Sequence, residues 1–296
     1  MKKQKSKLPT NIKIGIIGGS GVYNIEDLKN IKEYNIVTPF GKPSDKIIVG
    51  ELEGKHVAFL PRHGKGHFIS PTELNSQANI YAFKLLGVEF LFSISACGSL
   101  KEEIKPRDFV IPDQIYDRTK HRNPTFFRDG FVAHVAFAQP YCENLRKLVF
   151  ECCRELNLTT HFGGTYVCIE GPQFSTKAES KVYRHLGFDI IGMTALPEAK
   201  LAREAEICYV TIALVTDYDV WKEGHEVTAD EVLANLKANT ENSKKLIKLI
   251  IKKLNPDIRE CSCKDALKYA IFTQKEKINK KTYQKLKIFV EKYIKL

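Results

Sequence analysis

No stretch of this sequence is long and apolar enough to cross a bilayer. Its most apolar window, Ile207 to Val215, runs nine residues, against the roughly 20 that a spanning helix requires. The basic start, Met1-Lys2-Lys3-Gln4-Lys5-Ser6-Lys7, is followed by no apolar run of signal-peptide length, so a cytoplasmic protein with reduced thiols is expected. Internal repeats are missing, and no linker-like break separates residues 11 and 258, which points to one domain there. A dinucleotide fingerprint is missing too. Counting from Gly19, Gly21 fits but Asn24 stands where the third glycine belongs; counting from Gly18, the second position is Ser20. No Gly-Lys-Ser/Thr completes a Walker loop, so a nicotinamide oxidoreductase and a P-loop enzyme both lose their support. Zinc fingers want two spaced cysteine pairs. The eight cysteines instead offer one adjacent pair, Cys152-Cys153, and one Cys261-Ser262-Cys263. No metal site is expected from that spacing. Inert buried thiols are the first reading, with Cys261/Cys263 as a strained redox pair, or a disulfide in a hyperthermophile, left open.

What is present is a globular mix, 43% hydrophobic and 27% charged, which excludes disorder, collagen-like repeats and a coiled coil. The net charge of +11 suggests nucleic acid or an acidic surface, but its distribution does not. Residues 1–7 carry four lysines and no acid, and residues 264–296 carry ten lysines against three acids, so residues 8–263 balance at 32 bases and 32 acids. A neutral body with basic ends suits a small-molecule enzyme. A nucleic-acid or acidic-surface binder working through those ends is the rival from another class, and it requires affinity that falls steeply with salt.

Strand-like runs at Ile12–Ile17, Lys46–Leu52, His56–Pro61, Phe90–Ala96, Asp108–Ile115, Gly164–Ile169, Asp189–Met193 and Ile207–Thr216 alternate with helix-period stretches. The latter are Thr72–Leu86 (opened by Ser70-Pro71), Asn144–Leu156, Thr176–Leu186, Pro197–Ala205 and Thr228–Leu254. This alternation predicts an α/β fold around one large mixed sheet flanked by helices. Beyond it, Tyr283, Leu286, Val290 and Tyr293 share one helical face in a lysine-rich tail. The division expected is a basic tail over 1–10, a catalytic domain over 11–258 and a Cys-x-Cys and lysine-rich extension over 259–296.

Six short motifs sit at strand ends, where open α/β sheets bind ligands. Gly18-Gly19-Ser20-Gly21 can turn backbone N–H groups and a hydroxyl toward an anion. Arg62-His63-Gly64-Lys65-Gly66-His67 can clamp an oxyanion, because arginine grips phosphate bidentately. Ser95-Ala96-Cys97-Gly98-Ser99-Leu100, Glu170-Gly171-Pro172-Gln173-Phe174-Ser175 and Gly192-Met193-Thr194 are each, alone, an ordinary strand end or turn. Thr216-Asp217-Tyr218-Asp219 puts two acids at i and i+2 after the most apolar strand. A loop pair of that kind is commonly a turn or cap as well.

In this order, the six motifs resemble the purine nucleoside phosphorylase superfamily, and within it the S-methyl-5′-thioadenosine phosphorylases, from Ile14 to about Leu254. The resemblance implies that inorganic phosphate, a co-substrate, attacks the anomeric carbon of a nucleoside and releases the base, with no metal or organic cofactor. Phosphate would be held by Ser20, Arg62, His63, Ser95, Ala96 and Thr194. Met193 would pack on the ribose and Phe174 would stack on the base. Asp217 would deliver the proton that purine N7 needs, and Asp219 would accept from the 6-amino group or position Asp217. Phosphorylases of 6-oxopurines resemble this layout but carry Asn at the position of Asp217 and Glu at that of Ser175. Asp217 with Ser175 therefore implies adenine, whose 6-amino group needs an acceptor.

Val232 and Leu233, with Ala229 one turn earlier, would wall the 5′-methylthio group, although a helix-core role is the first reading for Val232 and Leu233. His134 aligns with a position that reaches a neighbouring subunit's pocket, so a homotrimer or homohexamer is implied. Departures are Gln173 for a frequent Arg, Ser95 for Thr and Gly192 for a frequent Asn. A 6-oxopurine nucleoside or methylthioinosine phosphorylase is the alternative within enzymes.

Overall fold

The computed structural model describes residues 8–19, 26–222 and 229–296, with the backbone alone at 229 and 231–233. Among these residues, β1 (Ile14–Gly18), β2 (Lys29–Tyr34), β3 (Ile47–Leu52) and β4 (Lys55–Pro61) lead to α1 (Ser76–Leu86). β5 (Phe90–Ser99), β6 (Phe109–Ile111), β7 (Gln114–Arg118), α2 (Glu143–Glu155), β8 (Thr160–Phe162) and β9 (Thr165–Ile169) follow. α3 (Lys177–His185), β10 (Ile190–Gly192), α4 (Ala195–Glu204), β11 (Cys208–Asp217), α5 (Ala229–Lys253) and α6 (Lys280–Val290) complete the order. The strands join in one mixed sheet, as the alternation of patterns predicts.

β5 is the hub. Its first half pairs in parallel with β1, while β11 runs parallel along its other edge from Cys208↔Phe90 to Asp217↔Gly98, and its last residues pair with β10. β4 is parallel to β1. The carboxyl ends of β1, β4, β5 and β11 therefore emerge together. Both β5 and β11 are buried on both faces, which is why they read as near-continuous apolar runs. Phe90, Phe92, Val210 and Ile212 enter one core with Leu145 of α2 and Ile247 of α5. Leu91, Tyr209 and Ala213 enter the other with Ile80 of α1 and Ala199 of α4. Alternate residues thus serve opposite faces, and each large apolar side chain buried this way contributes about 1.5–3 kcal/mol.

Four local expectations change. α1 starts at Ser76 rather than Thr72, because Asn75 is the residue whose side chain accepts from Ala78 N. Ser70 instead bonds Glu73 in a turn of its own. The run over Asp108–Ile115 splits into β6 and β7, and β2, whose residues are mostly exposed, lies outside every apolar run. At its far end, α1 stops at Gly87, whose φ of +89° leaves no room for a side chain against Thr10 O.

The lysine-rich tail keeps its apolar face, though α6 ends at Val290. Tyr283, Leu286, Phe289 and Val290 are buried in the same core as α1 and α4, with the Phe289 ring 4.6 Å from Phe126 and 5.3 Å from Tyr81. Among the described residues, no helix is long and apolar enough to cross a membrane.

Candidate active site

The strand ends surround one cavity of about 540 Å³. Arg62, His63, Ser95, Ala96, Phe174, Ser175, Met193, Thr194, Asp217 and Asp219 all line it. Ten residues singled out from the sequence thus converge from β4, β5, β9, β10 and β11. Ser20 lies outside the described residues, as do the side chains of Val232, Leu233 and Ala229. Leu236 and Thr240, farther along α5, do reach the cavity. His134 is exposed and outside the cavity lining, with its ring 4.9 Å from that of Phe272.

Arg62 does not present the open fork expected of a phosphate clamp. Its guanidinium is 1% exposed and closes on Glu198, Nε donating to Oε1 at 2.5 Å and Nη2 to Oε2 at 3.2 Å. Nη2 also donates to Ser93 Oγ at 2.7 Å, and Nη1 to Ile94 O at 2.9 Å. Of five N–H groups, one on Nη1 remains for a ligand, so a bidentate grip would have to break the pair with Glu198. Glu198 is itself 1% exposed and accepts from Ser93 Oγ and Tyr209 Oη as well. A glutamate on a helix, 136 residues from its partner, carries no signal in the sequence.

His63 is neutral. Burial foremost, then the Arg62 charge, brings its pKa down to about 4. Its Nδ1 lies 2.9 Å from Ile69 O; a neutral ring meets a carbonyl only as Nδ1–H, which leaves Nε2 an acceptor. Ser95 Oγ and Thr194 Oγ1 are 2.7 Å apart. Thr194 begins α4 without capping it through its side chain, but the bond between the two hydroxyls spends one O–H and Ser95 Oγ also reaches Ala96 O at 3.2 Å. An anion therefore takes both O–H groups only by displacing these bonds. Arg122 holds this loop: Nη1 donates to Met193 O and Leu196 O at 2.5 Å each, and Nη2 to Glu170 O at 2.6 Å. A lone arginine in a loop was invisible as a positioning group until the turns it joins were in place.

The acid pair ends β11 across from Gly98. Asp217 accepts from Asp219 N at 2.8 Å and from Thr216 Oγ1 at 2.7 Å. Asp219 is 5% exposed, and its Oδ2 is buried without a partner. Desolvation first, with the Asp217 charge adding to it, pushes the Asp219 pKa up to about 6. Burial thus holds Asp219 toward its neutral form, and the oxygens of Asp217 accept hydrogen bonds. Neighbouring acids titrate as a pair, so the proton belongs to the two together. Gly98 is where the turn fits: a Cβ there would stand 2.9 Å from Asp217 Oδ1 and 3.3 Å from Asp219 N. Gly192 is required similarly, since a Cβ would collide with Tyr166 Oη; the Asn frequent at this position would displace that ring. Phe174 is 69% exposed at the cavity, as is Phe68, leaving two apolar faces for a flat ligand.

The family model described as the Phosphorylase superfamily matches residues 13–252. The chain belongs to this superfamily. It is 54% identical over 286 residues to a protein of Gloeobacter violaceus named S-methyl-5′-thioadenosine phosphorylase, covering 95% of this chain and 96% of that one. Such an alignment leaves out too few residues to omit the whole of 259–296, so the superfamily member from Gloeobacter shares part of the extension. A methylthioadenosine phosphorylase from an Antarctic soil metagenomic library superposes with a TM-score of 0.91 at 46% identity, covering 95% of this chain and 99% of that one. The methylthioadenosine phosphorylase of Schistosoma mansoni, solved with adenine, gives a TM-score of 0.82 at 34% identity, with 88% and 99% covered. These are the phosphorylases that the order of motifs led us to expect.

Proposed function

We propose that this chain catalyses phosphorolysis of 5′-methylthioadenosine, giving adenine and 5-methylthioribose 1-phosphate. A phosphate oxygen forms a bond to C1′ as the C1′–N9 bond breaks, and the bonding pair leaves with the purine. The ribose passes through an oxocarbenium-like state that the phosphate charge stabilises, and a proton at N7 stabilises the departing base. The observation that carries this reading is the coexistence, in one cavity, of the Ser95–Thr194 hydroxyl pair with His63 and of the Asp217–Asp219 pair, in which burial raises the pKa of Asp219. The relatives' names supply the substrate.

Phosphate meets Ser95, Thr194, the remaining N–H of Arg62 and the backbone at Ala96, with Ser20 as a further ligand, and a P–OH of the monoprotonated anion donates to His63 Nε2. The Asp217–Asp219 pair supplies the proton, and its second carboxylate accepts from the 6-amino group. Phe174 covers one face of the base and Met193 the ribose, while Leu236 and Thr240 line the wall on α5. Ser175 leaves room where a glutamate would favour a 6-oxopurine. The reaction calls on no metal or organic cofactor. The enzyme works in the cytoplasm as a homo-oligomer, with His134 turned toward a neighbouring copy.

Adenine release from methylthioadenosine, measured with and without phosphate and set beside hypoxanthine release from methylthioinosine and inosine, tests the reading. Phosphate-dependent adenine release should be fastest; faster hypoxanthine release overturns the adenine assignment. Asp217→Asn should reduce kcat/KM for methylthioadenosine far more than for methylthioinosine. Equal losses would remove Asp217 from base selection.

A further inference from the structure

Away from the cavity, three distant parts of the chain bring four sulfurs together. Cys142 stands at the start of α2, Cys208 begins β11, Cys261 precedes the short turn Ser262–Asp265 of the C-terminal extension, and Cys263 lies within it. Their Sγ atoms all lie within 4.8 Å of one another, with Cys208 and Cys261 at 3.1 Å. Cys142, Cys208 and Cys263 are 2%, 0% and 5% exposed, and Cys261 is partly buried. None of the eight cysteines is in a disulfide. Four mutually close sulfurs differ from two separate thiol pairs, because each faces all the others. A tetrahedron of sulfurs about 2.3 Å from a central ion has edges of about 3.8 Å, within the span observed here.

We infer that Cys142, Cys208, Cys261 and Cys263 form a closed four-thiolate site for a zinc ion. On binding, four S–H groups give up four protons to solvent, four Zn–S bonds form, and no electron is transferred. The site then carries a net charge of −2, and the surroundings are arranged for it. Arg259 donates from Nε to Cys208 Sγ at 3.3 Å, while its Nη2 is anchored on Glu206 O. Cys142 precedes the first turn of a 13-residue helix, where the backbone dipole favours a thiolate. With all four positions taken by protein, the ion has no open coordination position and its role is structural. It ties the extension to the base of β11, two of its ligands lying beyond the span that the family model matches. This inference does not depend on the phosphorolysis reading.

The test is zinc content per chain on the full-length protein, purified without chelator and under reductant, by inductively coupled plasma mass spectrometry. Native and denaturing intact mass and thiol alkylation accompany it. One zinc per chain is expected, lost on denaturation with chelator. Four cysteines should resist alkylation until the ion leaves, and the denatured mass should equal that of the fully reduced chain. Reconstitution with cobalt should give sulfur-to-metal charge-transfer bands and the strong visible bands of a tetrahedral ion. Cys261→Ser with Cys263→Ser should abolish zinc retention, whereas Cys152→Ser with Cys153→Ser should keep one zinc per chain. Should the double serine variant at 261 and 263 fail to fold, the wild-type zinc and cobalt measurements decide. A metal-free protein whose mass is short by the hydrogens of two disulfides overturns the inference. So does a metal-free protein with all four thiols freely alkylated.

Discussion

Replacing Asp219 by Asn should make this protein more stable and less active, and the stability gain should appear only above a pH boundary. Asp219 is 5% exposed with one oxygen unpartnered, and burial foremost holds its pKa near 6 against an ordinary 3.8. A carboxyl whose pKa rises on folding binds more protons folded than unfolded between those two values. Its ionisation therefore removes stability as pH rises through that window. Below about pH 3 the carboxyl is protonated in both states, and Asp219 and its Asn replacement should differ little. Above about pH 7 the difference is complete: about two pH units at 1.36 kcal/mol each, or about 3 kcal/mol in favour of the variant. Urea unfolding of both proteins at matched concentration, from about pH 3 to about pH 8, measures it directly. In parallel, wild-type kcat/KM for methylthioadenosine should fall as pH rises through about 6, and the variant should be slow throughout without that limb. A stability difference that does not change with pH, or that favours Asp above pH 7, refutes the assignment of a desolvated carboxyl here.

Gly98→Ala should lower kcat by about tenfold to a hundredfold, because its Cβ presses on the turn that aims the acid pair. Near-normal kcat with crystallographically unmoved Asp217 would show that the turn yields freely. Ser95→Ala should raise KM for phosphate about tenfold, the loss of one charge-assisted hydrogen bond, and Ser95→Thr should restore it; an unchanged phosphate KM removes Ser95 from the anion site. Glu198→Gln should destabilise by about 3–5 kcal/mol, since the buried Arg62 guanidinium loses its counter-charge. A cost under about 1 kcal/mol in urea unfolding would mean that Ser93 and the backbone carbonyls balance that charge unaided.

The parts of this fold legible in the sequence are those where local pattern and burial agree. β5 and β11 are apolar on both faces, and Thr176 caps α3 through a reciprocal bond with Glu179. β2 was invisible because an exposed edge strand reading Lys-Asn-Ile-Lys-Glu-Tyr has no apolar alternation to detect. In the site, the order of the strand-end motifs, through the resemblance it carries, announced most of the cavity residues. Glu198, Arg122 and the four-sulfur cluster were not announced, since each takes its meaning from partners dozens to hundreds of residues away. Cys142, Cys208 and the 261/263 pair have no metal-like spacing along the chain; pairing of strands and return of the extension create their proximity. Arg62 shows the converse: it lines the cavity, but the charge expected to be open is paired with Glu198.

That last point bears on how phosphate arrives. The anion corner has little net positive charge to project into solvent: Arg62 keeps its counter-ion at 2.5 Å and His63 is neutral. Attraction there is a matter of contact between hydroxyls, an N–H and an oxyanion, with scarcely any long-range field. Phosphate capture should therefore change little across the range of ionic strengths over which the Debye length shrinks from about 30 Å to about 8 Å. Its rate is then set by diffusion and by the opening of the cavity, without electrostatic steering.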